Sequence, residues 1–227
     1  MNESITDERL VFLDLEVGGE ESWRPIFEIA AIAVDSNLRE LVTFDVRLKF
    51  ATHMADPKVL VGSRYATPQW KRRAICATDA GDEFADFLRR HATVDQTSAS
   101  GRVFQVAQLV AHNADFDRRF LEHWFAHREQ FLPASPRMLC TLQRAMWLFH
   151  ENKSLTPPLD FKLGTLCEYF GVSLAAKESH QALFDVRATV QLYREMNQAW
   201  KKPRHLAEAQ VCSTPAERAC APDAAEM

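Results

Sequence analysis

The sequence predicts an α/β fold in which a mixed sheet, three antiparallel strands and then parallel ones, is flanked by helices on both faces. Three observations predict it. Apolar runs of strand length crowd the first fifty residues, and turn residues join them. Beyond about residue 100, short apolar runs alternate with longer segments whose apolar residues recur at helical spacing. Strands first, then strands alternating with helices, are the pattern of a sheet sandwiched between helices.

Leu10 to Leu15, Phe27 to Val34 and Leu41 to Phe50 are the three early strands. The links between them carry Gly18-Gly19 and Asp35-Ser36-Asn37, the residues expected of turns between antiparallel neighbours. A helix is expected from Pro68 to Ala77, with proline in its first turn, and a second from about Asp79 to His91, where Phe84, Phe87 and Leu88 share a face. Thr93 to Arg102, rich in Ser, Thr, Gly and Gln and without periodicity, reads as a surface loop. Gln108 to His112 is a fourth strand, leading through Asn113 into a helix that runs to roughly Gln130 on an apolar stripe of Phe116, Phe120, Leu121, Trp124 and Phe125. Arg137 to Thr141 is a fifth strand, and helices follow near Leu142 to His150, Lys162 to Phe170 and Gln181 to Ala199.

At 227 residues, with 47% hydrophobic and 26% charged side chains, the chain has the material for one well-filled domain and is neither fibrous nor largely disordered. Five scattered cysteines without a Cys-x-x-Cys pair suggest neither a disulfide framework nor a zinc knuckle. The polar N-terminus and the lack of a long apolar run lead to the expectation of a cytoplasmic protein with no membrane partner. A net charge of −4 argues against a protein that coats nucleic acid statically, yet leaves room for an enzyme whose carboxylates hold cations. After residue 200 the composition turns to Ala, Pro, Glu and Lys, so residues 1–200 are expected to form the domain and 201–227 a disordered tail.

Three segments carry candidate chemistry. Asp14 and Glu16 lie two apart in a strand, so both side chains leave the same face as Phe12, while Leu13 and Leu15 leave the other. Two carboxylates converging at a strand end suit hard divalent cations, and the glycines that follow allow a ligand close to the backbone. An acidic strand end entering a polar turn is the plain alternative. Asn113 and Asp117 bracket the first turn of the long helix, where Asn113 is a good N-cap and Asp117 complements the helix dipole. Asp117 also borders the apolar stripe, where a carboxylate needs a cation or a donor. His180 and Asp185 are five residues apart, about 140° around a helix, so they share a site only if His180 precedes the regular helix.

Together these segments resemble the three motifs of the DEDDh, or DnaQ-like, 3′→5′ exonuclease family. Phe12-Leu13-Asp14-Leu15-Glu16-Val17-Gly18-Gly19 resembles the family's Asp-x-Glu strand. Ala111-His112-Asn113-Ala114-Asp115-Phe116-Asp117-Arg118-Arg119-Phe120-Leu121 is similar to its Ala-His-Asn-x-x-Phe-Asp-x-x-Phe-Leu. His180-Gln181-Ala182-Leu183-Phe184-Asp185-Val186-Arg187-Ala188-Thr189 follows His-x-Ala-x-x-Asp-x-x-x-Thr. Glu28-Ile29-Ala30 is similar to the family's second strand. The likeness spans about residues 9 to 199. Val17 and Gly18 stand where the family usually has threonines, and the stretch from 51 to 102 has no family pattern.

The resemblance implies an RNase H-like fold and a two-metal phosphodiester hydrolase. Asp14, Glu16, Asp117 and Asp185 would hold two divalent cations, Mg²⁺ or Mn²⁺, and His180 would take the proton from the attacking water, a role suited to a side chain of pKa about 6.5. Val17, Gly18, Asn113 and Phe116 would frame the 3′-terminal nucleotide. The expected partners are 3′ ends of single-stranded DNA or RNA, with DNA favoured, while a polymerase and a homodimer stay open as protein partners. His112, at the end of an apolar strand, reads as a structural histidine rather than a rival base. The alternatives are an exoribonuclease of the same superfamily, a non-catalytic nucleic-acid-binding protein on this fold, and a nucleotide hydrolase using the same metals.

Overall fold

The computed structural model describes residues 8–61, 65, 67–173 and 182–201. Strand β1 (Leu10–Val17) is the middle of a five-stranded sheet ordered β3-β2-β1-β6-β7, in which β2 is Ile26–Val34, β3 Glu40–Arg47, β6 Gln108–Ala111 and β7 Leu139–Cys140. β1–β2 and β2–β3 pair antiparallel, whereas β1–β6 and β6–β7 pair parallel, so the expected mixed sheet is present. The early strands fall where the apolar runs predicted them. In the β2–β3 turn, the Asp35 carboxylate accepts from the backbone N–H groups of Asn37 and Arg39, at 2.8 and 2.9 Å.

The period of two divides β1 between two cores. Val11, Leu13 and Leu15 pack into the larger one with Ile29, Ala31, Leu109 and the buried faces of α3 (Ala77–Arg90) and α4 (Ala114–His127). Phe12 faces the other side, where Ala30, Ile32 and Val110 meet Ala182, Val186 and Val190 of α7 (Ala182–Lys201). A third cluster joins α7, through Ala188, Leu192 and Met196, to α5 (Thr141–Glu151) and α6 (Leu163–Tyr169). The central strand is thus covered by helices on both faces, and α7 lies between the sheet and an outer helix pair.

Between β3 and α3 the chain makes a 3₁₀ turn at Thr52–Met54 and two short helices, α1 (Pro57–Leu60) and α2 (Pro68–Arg73), each with proline at its start. The helix predicted to run to Ala77 stops at Arg73, and Leu48 and Ile75 form a parallel bridge instead.

One expectation is corrected here. Thr93 to Arg102 is not simply a loop, because β4 (Val94–Thr97) and β5 (Val103–Val106) form an antiparallel ribbon closed by a turn at Ser98–Gly101. Its strands carry Asp95, Gln96, Thr97 and Gln105, and only Val106 is fully buried, so the composition hid a strand pair held by backbone ladder bonds. No described helix is long and apolar enough to cross a membrane. Of the tail expected from 201 to 227, all but Lys201 lies outside the described residues.

Candidate metal centre

The site forms at the end of β1. Asp14 and Glu16, side by side on the α7 face, meet Asp185 from the first turn of that helix, and ligand oxygens of the three lie within 4.8 Å of one another. Three half-buried carboxylates, an all-oxygen donor set, match what a hard divalent cation takes. Thr189, one turn beyond Asp185, donates its hydroxyl to the Asp185 carbonyl at 2.8 Å and is itself buried, which ties the first turn of α7 to the core beneath.

Asp117 comes from the opposite helical layer. It is 3% exposed, in the first turn of α4, and its charge acts on Asp14. Parallel pairing of β1 with β6 covers Leu10 to Phe12, and farther along β1 the backbone of Leu15 hydrogen-bonds the Asp117 carboxylate. Burial pushes the Asp117 carboxyl up to about 8 despite that bond and one from its own backbone, both of which pull it down. The Asp14 carboxyl is held well above the usual range by burial first, then by the charges of Asp117, Glu16, Asp185 and Glu28. Such a cluster strains against itself until protons or cations neutralise it.

Glu28 is the residue that sequence reasoning undervalued. It is 2% exposed, stands directly opposite Glu16 on β2, and faces Arg47 on β3 with Nε 3.7 Å from Oε1. Arg47 in turn lies over the Trp70 ring at 4.9 Å. A glutamate inside an otherwise apolar, fully buried strand was itself the available signal, because a buried carboxylate requires a partner.

His112 is structural, as expected. Its Nδ1 is 2.9 Å from the Thr141 hydroxyl and its Nε2 3.0 Å from the Phe161 carbonyl. A carbonyl only accepts, so Nε2 carries the proton and Nδ1 accepts from Thr141. Burial lowers the His112 pKa, with the bond to Phe161 opposing, and a neutral ring satisfies both partners. We expect His112→Ala to destabilise the fold by about 2 kcal/mol, since it removes the ring's packing, leaves the Phe161 carbonyl without its donor and leaves Thr141 only its 3.4 Å bond to the Ala111 carbonyl. Thermal melts then fall by roughly 4–8 °C. A melting temperature equal to the parent's would contradict this role.

Asn113 departs from expectation. It occupies the N-cap position, but its side chain caps nothing; its backbone is left-handed, φ 60° and ψ 47°, a conformation asparagine tolerates well. Phe116 is half-buried with its ring 5.0 Å from Phe120, so part of it packs on the core. Val17 is half-buried, and buried Gly18 donates its N–H to the Pro25 carbonyl at 2.8 Å. A Cβ at Gly18 would come within 3.0 Å of Ala55 and Pro25, which explains glycine there. His180 lies outside the described residues.

Fold and site together define a class. A family model described as Exonuclease, of the RNase T kind, matches residues 11–193, and the chain belongs to that family. Among individual proteins, it is 25% identical over 202 residues to the DNA polymerase III subunit epsilon of Salmonella typhimurium, covering 86% of this chain and 73% of that protein. It is 33% identical over 103 residues to the PolC-type DNA polymerase III of Oceanobacillus iheyensis, a match covering 45% of this chain and only 6% of that much longer polymerase. Among solved structures, an exonuclease I superimposes with a TM-score of 0.65 at 16% identity, covering 84% of this chain and 41% of that one. The E. coli exonuclease I–single-stranded DNA complex with zinc gives 0.64 at 17%, covering 85% and 41%. These likenesses establish the RNase H-like fold.

Proposed function

We propose that this protein is a metal-dependent 3′→5′ exonuclease that removes nucleoside monophosphates from the 3′ end of single-stranded nucleic acid, with DNA favoured. The observation that carries the reading is the convergence of Asp14, Glu16 and Asp185 within 4.8 Å, with buried Asp117 beside them. These four are the residues to hold two divalent cations, Mg²⁺ or Mn²⁺. Bound there, such cations supply Lewis-acid stabilisation of the attacking and leaving oxygens of an in-line displacement at phosphorus. The remaining work falls to the chain. His180 is the residue to accept the proton of the attacking water, a role resting on its place in the third motif. Val17, Gly18, Asn113 and Phe116 are the residues to seat the terminal nucleotide, Gly18 by letting the strand approach its backbone and Phe116 by its ring.

DNA is favoured because relatives are named as DNA polymerase III subunits and an exonuclease I has been solved with single-stranded DNA. The test is digestion of 5′-labelled DNA and RNA oligonucleotides of matched sequence with Mg²⁺, Mn²⁺ or EDTA. The expected result is a ladder shortening from the 3′ end, faster on DNA and absent in EDTA. Faster shortening of RNA would assign an exoribonuclease instead. Failure of folded, metal-supplied protein to shorten either polymer would remove the exonuclease reading and favour a binding role.

A further inference from the structure

Beyond the metal centre, the outer edge of the sheet carries a second feature. Past Arg47 the chain continues through Leu48, Lys49 and Phe50, and the Lys49 N–H donates to the Ile75 carbonyl at 2.8 Å, which seats α2 against this extension. Aromatic rings build a wall there, with Phe27, Tyr65 and Trp70 buried and Phe50 half-buried at its open side. Phe27 lies 4.2 Å from Phe50 and 4.6 Å from Tyr65, and Tyr65 lies 4.9 Å edge-on from Trp70. A cavity of about 270 Å³ opens against this wall, lined by Lys49, Phe50, Thr52, Tyr65, Trp70 and Lys71 among others. That volume is below the roughly 300–1,000 Å³ of sites that enclose a whole ligand, but it accommodates one planar base.

The charge around the cavity is equally distinctive. Lys49 and Lys71, both exposed, line the cavity, and the exposed Arg72 and Arg73 follow at the end of α2, Arg73 facing a separate pocket that it shares with Asp45 and Glu83. Among the described residues no carboxylate pairs with any of the four, although most other arginines near an acid have taken one. In a chain of net charge −4, Lys49, Lys71 and Arg72 are uncommitted cations beside a packed aromatic cluster. Basic groups that track a backbone next to aromatic faces that accept bases are the two components of single-strand binding.

The feature is also continuous with the metal centre. Glu16 faces Glu28 across one strand gap, Glu28 faces Arg47 across the next, and Arg47 lies on Trp70, a wall of the cavity. Two strand spacings, about 10 Å, reach Arg47, and its 4.9 Å contact with the Trp70 ring puts the cavity roughly four nucleotides away at the ~3.4 Å per nucleotide of a stacked strand. The loop before α1 is tied to the same place, since the Asp56 N–H donates to the Gly18 carbonyl at 2.6 Å.

We propose that this cavity and its rim are a second nucleotide subsite, binding a base and backbone phosphates of the substrate strand a few nucleotides upstream of the bond being cut. The proposal rests on the exonuclease reading above. Lys49, Lys71 and Arg72 take the phosphates, and a base lies against Phe50 at the open side of the aromatic wall, so short and long substrates are treated differently. A mononucleotide ester reaches the metal centre alone, whereas an oligonucleotide also engages the rim.

The experiment compares the parent, Lys71→Glu/Arg72→Glu, and a charge-matched control, Lys153→Glu/Lys162→Glu, at the other side of the sheet. Two readouts are taken: hydrolysis of the p-nitrophenyl ester of thymidine 5′-monophosphate with Mn²⁺, and binding of a fluorescent single-stranded 12-mer in EDTA across a salt series. The K71E/R72E protein should hydrolyse the ester at the parent's rate while binding the 12-mer roughly tenfold more weakly at low salt. Its slope of log affinity against log salt should be shallower by about 1.4, the share of two phosphate contacts on a single strand. The control should match the parent in both. Equal 12-mer affinity and equal salt slope in parent and K71E/R72E overturn the subsite. A parent that hydrolyses no ester speaks against the catalytic reading, and the binding comparison then decides the subsite by itself.

Discussion

Asp14→Asn is expected to do two opposite things: abolish hydrolysis and stabilise the metal-free protein. Asp14 touches every other member of the cluster through its charge, with Asp117, Glu16, Asp185 and Glu28 all raising its pKa. Asparagine keeps the shape without an ionisable group, so the metal-free fold is spared the cost of holding that carboxyl in a buried site among like charges. With about 2–4 °C gained per kcal/mol in a domain of this size, the melting temperature in EDTA should rise by a few degrees. Catalysis moves the other way. Lewis-acid stabilisation is worth several kcal/mol, and each 1.36 kcal/mol is tenfold, so the exonuclease rate should fall by about a thousandfold or more. With saturating Mg²⁺ the stability order should reverse, because only the parent gains from tight binding. A variant that keeps its activity, or one that melts lower than the parent in EDTA, would sink the assignment of Asp14.

The second large effect is on pH dependence. A carboxyl whose folded pKa lies above its unfolded value holds a proton in the folded state that the unfolded chain has released. Its contribution to stability is therefore fully present below the unfolded pKa, near 4, and is lost as pH rises through the folded value. For Asp117 that folded value is about 8, and Asp14 shifts in the same direction. His91 and His112 act oppositely, since burial lowers both, and they add stability as pH rises toward 6.5. Above about pH 7 the histidines are nearly neutral in either state, and the carboxyls act together with the Cys167 thiol, which burial pushes up to about 12 and which shifts stability in the same direction. Metal-free protein should therefore melt several degrees lower at pH 8.5 than at pH 7, on the order of 5 °C. Saturating Mg²⁺ should flatten the slope, because cations keep the carboxylates ionised in the folded protein too. Metal binding at pH 7 should release protons, visible in calorimetry as a heat that depends on the buffer. A flat or rising melting curve between pH 7 and 8.5 in EDTA would contradict the clustered charges.

Much of this was legible in the residues. β1, β2 and β3 sit within a few residues of the predicted runs, because each is bounded by a turn with its own chemistry, as with Asp35 and the Asn37 and Arg39 amides. Asp14 and Glu16 share a face because a strand alternates, and that alone sent them to the α7 side while Leu13 and Leu15 went to the α3–α4 side. What stayed hidden depends on pairing. The β4–β5 ribbon is held by backbone ladder bonds between polar strands, which periodicity does not register. Asn113 looks like a cap by residue type, yet its left-handed backbone moves the side chain elsewhere. Glu28 acquires meaning only from register, which sets it between Glu16 and Arg47. The short helices α1 and α2 carry too few residues for a period to be read.

The carboxylates of the metal centre come from both ends of the fold's itinerary, and this has a consequence for the protein's birth. A ribosome delivers Asp14 and Glu16 almost at once, Asp117 midway, and Asp185 only with α7, the last helix described. Domains tend to fold as whole units during synthesis, and here β1 obtains its α7 cover after nearly everything else has emerged. On the reading given above, a nascent chain is a nuclease without its last ligand. The site closes only when α7 docks on β1.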